Sequence, residues 1–292
     1  MCDGLTVVRL NHPVHVGAGA LACPTERSSL PRPYRHFRQL SAILDYTMST
    51  GPVVRVLSDP AAVFAAAAVE FLQRARTAIQ GSGRFTVALA GGSTPRNLYS
   101  LLATQADVPW DKIRFFFNDE RHVPPDNPES NFRMANESLL SQVPIPKENI
   151  FRIPAEIPDA DSVAQSYEQT LRQFFQLEDD ALPRFDLILL GMGPDGHTAS
   201  LFPVTAALHE DDRLVAANWV EKFKTWRLTF TYPVLNNAAA ILFMATGAEK
   251  QEALLQVLQG KPDPETYPAQ GIKPTNGSLI WLVDQAAAGP MK

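Results

Sequence analysis

The sequence has little cysteine, no long apolar run and no excess of basic residues. Its 292 residues include only two cysteines, Cys2 and Cys23, which is too few for a disulfide framework or a cysteine-based zinc site. This usage favours a reducing compartment, and we expect a cytoplasmic protein. No stretch of about 18 consecutive apolar residues occurs, so the sequence predicts no membrane partner.

The charge balance narrows the choice of partner. Acidic residues number 31 and basic residues 26, which gives a formal net charge of −5. Nucleic-acid-binding proteins draw much of their affinity from a basic surface, so we expect no nucleic-acid partner and no DNA-binding regulator. A small anionic ligand stays possible, because a local cluster of arginine, lysine and backbone N–H groups can oppose the net sign.

Residues 1–47 differ from the rest of the chain. They hold both cysteines and three of the six histidines, and they lack sustained hydrophobic periodicity. Two interpretations stay open: a disordered extension, or a wrongly assigned start with Met48 as the true first residue. A transit peptide is a third, although no clear amphipathic helix is present. We expect residues 48–292 to form one catalytic domain.

From residue 53 onward, short apolar strands alternate with helical patterns. Strands are predicted at residues 53–57, 85–90, 113–117, 185–190, 214–217, 228–232, 240–245 and 279–283. Helices are predicted at residues 60–80, 94–102, 131–141, 161–176 and 248–258, the first of them ending near Gly81. This alternation predicts a single α/β domain with a Rossmann-like, mostly parallel sheet and helices on both faces.

Three polar segments follow predicted strands, where ligands bind in open α/β sheets. The first, the glycine loop (residues 90–96), contains Gly91, Gly92, Ser93 and Thr94. Its glycines allow close backbone approach, and the free N–H groups of the following helix favour a phosphate. The alternative is an ordinary strand–turn–helix connection. No Walker lysine follows.

The second, the charged segment (residues 118–124), contains Asp119, Glu120 and Arg121. A guanidinium at Arg121 could hold a phosphate through two hydrogen bonds or stabilise an oxyanion. The alternative is that these charges are solvated or paired with one another.

The third, the histidine loop (residues 190–203), places Asp195 two residues before His197 among glycines 191, 193 and 196. A histidine in such a loop beside a carboxylate is a candidate general base, although a lone histidine is more often structural. The glycines match a dinucleotide-binding pattern in form, but Pro194 suits a pyrophosphate loop poorly. No G-x-S-x-G elbow exists, which argues against a serine nucleophile.

Together and in this order, the three segments resemble the 6-phosphogluconolactonase family, in the superfamily of glucosamine-6-phosphate deaminase and ribose-5-phosphate isomerase. The resemblance runs from about residue 48 to the C-terminus, with further landmarks at residues 227–229 and 274–279. Deaminases typically continue Ala-Phe-Asn-Glu-Pro after the histidine, whereas residues 199–203 here read Ala-Ser-Leu-Phe-Pro, as in lactonases. The chain departs from the usual Lys-Pro-Pro stretch, because residues 224–227 read Lys-Thr-Trp-Arg.

The resemblance implies hydrolysis of 6-phospho-D-glucono-1,5-lactone, a sugar-phosphate lactone, without metal or cofactor. It implies His197 as general base, with Asp195 orienting the loop around it. Phosphate binding is implied for Gly91, Gly92, Ser93 and Thr94, and phosphate or oxyanion neutralisation for Arg121, Lys224 and Arg227. We expect a monomer or a small homo-oligomer.

Two alternatives stay open. One is an isomerase or deaminase of an amino-sugar phosphate, which ammonia release would reveal. The other is a catalytically silent sugar-phosphate sensor, which would keep the glycine loop but lack turnover.

Overall fold

A computed structural model describes residues 6–8 and 52–291 of the chain. The strands are β1 (Thr6–Val8), β2 (Val53–Leu57), β3 (Phe85–Leu89), β4 (Ile113–Phe117), β5 (Asp119–Arg121), β6 (Leu187–Gly191), β7 (Val215–Val220), β8 (Thr225–Phe230), β9 (Ala240–Ala245) and β10 (Ser278–Asp284). The α-helices are α1 (Pro60–Ser82), α2 (Ser93–Ala103), α3 (Asn131–Ala135), α4 (Ala160–Phe175), α5 (Tyr232–Asn236), α6 (Gln251–Gln259) and α7 (Gln285–Ala288). A π-helical turn, Asn136–Leu140, continues α3 over most of the predicted helix 131–141.

Seven strands form the main sheet, in the order β1-β2-β10-β9-β6-β3-β4. All neighbouring pairs are parallel except β1 and β2, which are antiparallel. The predicted α/β fold with a mostly parallel sheet is therefore confirmed. Apart from the unpredicted strand β1, residues 1–47 lie outside the described part of the chain, so the interpretations of that segment stay predictions.

A second, three-stranded antiparallel sheet has the order β5-β8-β7. The sequence did not separate β7 and β8 from the strands of the main sheet. The structure separates them, because each strand is longer on the side of the turn than the sequence predicts. The connection between them is then only four residues, 221–224. So short a connection permits a hairpin, whereas parallel neighbours need a crossover of about a dozen residues.

Helix α1 shows how local signals set the element bounds. The Asp59 side chain accepts a hydrogen bond from the Ala62 N–H at 2.9 Å, which caps the first turn ahead of Pro60. The helix ends at Gly83, whose φ of +78° is the left-handed conformation of a C-terminal cap. The stop predicted at Gly81 was two residues early, because that glycine is still helical.

The strand order determines which loops can form a site. Strands β9, β6, β3 and β4 are neighbours, so their carboxyl ends lie side by side at one edge of the sheet. The Asn118 amide donates to the Leu189 carbonyl at 2.6 Å and ties the end of β4 to the middle of β6. The glycine loop, the histidine loop, the charged segment and the turn after β9 therefore lie next to one another.

Candidate active site

His197 and Asp195 form a hydrogen-bonded pair in the histidine loop. The distance from His197 Nδ1 to Asp195 Oδ1 is 2.5 Å, and about a quarter of each side chain is exposed. Among the described residues, none bonds to His197 Nε2. The ring thus has one nitrogen held by a carboxylate and the other free for a ligand.

Glycine is required beneath this pair. A Cβ at Gly193 would overlap the His197 ring and would lie 2.7 Å from Asp195 Oδ1. The Gly193 N–H also donates to the His197 carbonyl at 2.9 Å, which closes the loop on itself. The ring also stacks on Phe202, with 4.1 Å between ring centroids. The imidazole is therefore held by the close approach of Gly193, by stacking on Phe202 and by the bond from Nδ1 to Asp195.

The carboxylate of Asp195 has a second partner, Lys222, in the turn between β7 and β8. The Lys222 ammonium lies 3.1 Å from Asp195 Oδ2. Burial alone would raise the pKa of Asp195, but the hydrogen bond and charge of His197, together with Lys222, outweigh it and hold the pKa well below its ordinary value. Asp195 is therefore ionised throughout the neutral range.

The glycine loop takes the form that an anion site needs. Gly92 has a φ of +103° and precedes α2, whose first N–H groups have no capping side chain. A Cβ at Gly91 would overlap the Asn131 amide, so only glycine fits there. The Tyr99 hydroxyl accepts from the Ala90 N–H at 2.9 Å and donates to its carbonyl at 2.8 Å, which fixes the start of the loop.

The charged segment divides into residues with different roles. Glu120 is buried and binds the start of α3, accepting hydrogen bonds from the N–H groups of Arg121, Asn131 and Phe132 and from the Ser130 hydroxyl. Its role is structural. Asp119 is also buried, and its carboxylate accepts from Ser200 Oγ at 2.7 Å and Asn131 Nδ2 at 3.2 Å. The Ser200 contact joins the charged segment to the histidine loop.

The three predicted cations lie in different places. Arg121 lines the same cavity as His197 and donates to the Glu129 carbonyl at 2.5 Å. Arg227 lies opposite Arg121 in the register of β5 and β8. Its guanidinium stacks over Phe223 and does not line that cavity. Burial and the neighbouring Arg121 charge lower the pKa of Arg227. Lys224 is exposed and does not line the cavity either.

Sequence reasoning missed Lys250, which follows β9. It lines the cavity beside the glycine loop, and among the described residues no hydrogen bond or ion pair engages its ammonium. Burial lowers the pKa of Lys250, opposed by the charges of Glu249 and Asp284. The available signal was its place after a fourth apolar strand, three residues beyond Gly247.

These groups enclose one cavity of about 230 Å³. Its polar lining comes from the four neighbouring strand ends and from the start of α3: Gly91, Gly92, Ser93, Thr94, Asp119, Arg121, Asn131, His197 and Lys250. Two cations (Arg121 and Lys250), the backbone of the glycine loop and the imidazole of His197 all line it. The cavity can therefore hold an anion and present a base to the same ligand.

Comparisons with known proteins agree with this geometry. A family model described as glucosamine-6-phosphate isomerases/6-phosphogluconolactonase matches residues 58–281. The chain belongs to this family. Its match covers all three segments first recognised in the sequence, so the predicted resemblance is confirmed.

Named members of the family extend the comparison. The chain is 48% identical over 236 residues to a 6-phosphogluconolactonase of Synechocystis, which covers 81% of this chain and 97% of the relative. It is 45% identical to a 6-phosphogluconolactonase of Nostoc, over 82% of this chain and 98% of that one. The solved structure of 6-phosphogluconolactonase from Trypanosoma brucei superposes with a TM-score of 0.76 at 29% identity, over 84% of this chain and all of that one. These similarities confirm the prediction of a family enzyme of the lactone hydrolase type.

Two further observations bear on partners and cofactors. Within residues 52–291, no group of three or more histidine, cysteine, aspartate or glutamate side chains is arranged to hold a metal ion. None of the helices in the described part of the chain is long and apolar enough to cross a membrane.

Proposed function

We propose that this protein hydrolyses 6-phospho-D-glucono-1,5-lactone to 6-phosphogluconate, in the oxidative pentose phosphate pathway, with His197 as general base. The observation that carries the proposal is the free Nε2 of His197, in a ring that lines the same cavity as the glycine loop. The names of the family relatives support the substrate.

The chemistry needs one group that both accepts and returns a proton. With Nδ1–H donated to the Asp195 carboxylate, Nε2 is the unprotonated nitrogen and can take a proton from water. The resulting hydroxide attacks the lactone carbonyl and forms a tetrahedral oxyanion. When the oxyanion collapses, the bond from carbon to the ring oxygen breaks, and the imidazolium returns its proton to that oxygen. Catalysis of this kind contributes about 10²–10⁴-fold.

The phosphate would sit against the glycine loop. The first N–H groups of α2 and the positive end of its dipole favour a dianion there. The half-buried Lys250 ammonium supports the same placement, because a cation to which none of the described residues bonds is stabilised when an anion binds. Arg121 would neutralise either the phosphate or the developing oxyanion. In this arrangement Lys224 and Arg227 lie outside the cavity and do not contact the phosphate.

The deaminase alternative receives less support. Residues 198–203, which follow His197, contain no carboxylate, so Asp195 is the acidic residue that this loop brings to the imidazole. The Asp119 carboxylate does line the cavity, but each of its oxygens already accepts a hydrogen bond, Oδ2 from Ser200 and Oδ1 from Asn131. It is held as a fixed acceptor.

The test is a lactonase assay on freshly generated 6-phosphogluconolactone, corrected for spontaneous hydrolysis, beside an ammonia-release assay on glucosamine 6-phosphate. We expect turnover of the lactone and no ammonia. Ammonia release would establish the deaminase instead, and binding of the lactone without turnover would indicate a sensor. A cytoplasmic location and a monomeric or small oligomeric state stay predictions, which cell fractionation and light scattering would check.

A further inference from the structure

The Asp195 carboxylate is shared between two cationic or potentially cationic groups. Its Oδ1 atom bonds to the His197 ring, and its Oδ2 atom bonds to the Lys222 ammonium. Lys222 does not line the cavity that contains His197, so its contact with the site runs through the carboxylate alone. This geometry makes the charge of Lys222 part of the environment in which His197 gains and loses its proton.

Lys222 belongs to the hairpin tip, defined as residues 221–224, which approaches the pair at a second point. Phe223 packs edge-on against Phe202, with 5.6 Å between ring centroids, and Phe202 in turn stacks on His197. The tip therefore reaches the imidazole indirectly, through Phe202, and the carboxylate directly, through the Lys222 ammonium. Both contacts depend on the four-residue turn between β7 and β8.

We propose that Lys222 is a positioning residue that sets the pH range in which His197 acts as a base. The proposal rests on the proposed function of His197. A lone Asp195 carboxylate would stabilise the protonated imidazole and keep it from accepting a proton. The Lys222 ammonium offsets part of that negative charge, so His197 stays unprotonated, and active, to a lower pH.

Other charged groups face this pair from the surrounding elements. Asp119, Arg121 and Lys250 line the cavity with His197. Asp161 and Glu221 line a neighbouring groove with Asp195 and Lys222. Those two acids have partners of their own, because Asp161 pairs with Arg213 and Glu221 accepts from the Trp219 ring. Among the described residues, Lys222 is the cation that bonds directly to the pair.

The size of the effect follows from exposure. The Lys222 side chain is 60% exposed, so solvent screens its charge. A unit charge on the far side of one carboxylate from an imidazole, at a partly solvated site, shifts the titration midpoint by about 0.5–1 pH unit. High salt should reduce the shift, because exposed charges are screened at the Debye length.

The test follows the His197 ring by NMR titration of the substrate-free protein, with His197→Asn to assign the signal. We expect Lys222→Met to raise the midpoint by about 0.5–1 pH unit and to move the acid limb of the kcat/KM profile by the same amount. Lys222→Arg, which keeps the charge, should restore the wild-type midpoint.

The matched control is Lys112→Met. Lys112 also lies 3.5 Å from a neighbouring carboxylate, that of Asp111, but it precedes β4 at the sheet edge opposite the site. It should leave the midpoint unchanged. A midpoint that Lys222→Met leaves unchanged or lowers would overturn the proposal, as would a rise in KM at an unchanged midpoint. Because the titration needs no substrate, its outcome is independent of whether the protein hydrolyses the lactone.

Discussion

Replacing Gly193 with alanine should damage catalysis far more than stability. The new Cβ would lie 2.7 Å from Asp195 Oδ1, and closer still to the His197 ring, whereas an ordinary contact is at least 3.4 Å. The carboxylate must therefore retreat by about 0.7 Å, and the ring by more, unless the loop itself moves. The backbone of Gly193 does not have a positive φ, so alanine adds no strain of its own.

A displacement of about 1 Å at a reacting group can cost about 10²-fold in rate, so we expect kcat/KM of Gly193→Ala to fall by about that factor. The imidazole is partly exposed and can move toward the cavity, which should limit the loss of unfolding free energy to about 1–3 kcal/mol. Lactonase assays and urea unfolding would measure the two quantities.

The matched control is Gly81→Ala, within helix α1. No atom lies within 4 Å of a Cβ there, so this variant should keep wild-type activity and gain about 0.5–1 kcal/mol. If Gly193→Ala keeps the wild-type kcat/KM, the argument is refuted that the Asp195–His197 pair can hold its working position only when residue 193 has no side chain.

Two further predictions concern the phosphate and the acid range. Lys250→Met should raise KM for the phosphorylated lactone in steady-state assays and leave KM for an unphosphorylated gluconolactone unchanged. Arg121→Ala should have the same effect. If Arg121→Ala slows both substrates equally, Arg121 is instead an oxyanion-stabilising or structural group. The pKa of Asp195 is lower in the folded protein than in the unfolded chain, so ionised Asp195 stabilises the fold. This contribution is fully present above about pH 4, the pKa in the unfolded chain, and is lost as the pH falls through the lower folded pKa. Asp195→Asn should therefore be less stable than wild type at pH 7 in urea unfolding, with the difference narrowing below about pH 4; a difference that stayed constant with pH would contradict this.

The parallel strands and three of the four loops at the site could be predicted from the sequence. Strands such as β3 and β4 are buried apolar runs, so a polar segment that follows them is conspicuous. Parallel strands bring their carboxyl ends to one edge, which is why Gly91, Arg121 and His197 were expected together without any knowledge of strand order. Their placement around one cavity agrees with that expectation.

The cations could not be predicted in the same way. Lys222 and Lys224 stand two residues apart in the hairpin tip, and only the register of β7 and β8 decides which one reaches Asp195. Lys250 lies in a short turn without glycine clusters or neighbouring histidines of its own, so its place after the apolar strand β9 is a weak local signal. Flexible side chains on turns carry little sequence signal, because their partners come from distant parts of the chain.

Comparing the turnover of His197→Asn with that of His209→Asn tests the central claim most directly. His209 is an exposed histidine that pairs with Glu265 away from the cavity, so the two variants make the same chemical change at different places. We predict that His197→Asn lowers kcat on 6-phosphogluconolactone by about 10²–10⁴-fold while the protein stays folded, and that His209→Asn leaves kcat unchanged. A folded His197→Asn variant with near-wild-type turnover would contradict the account.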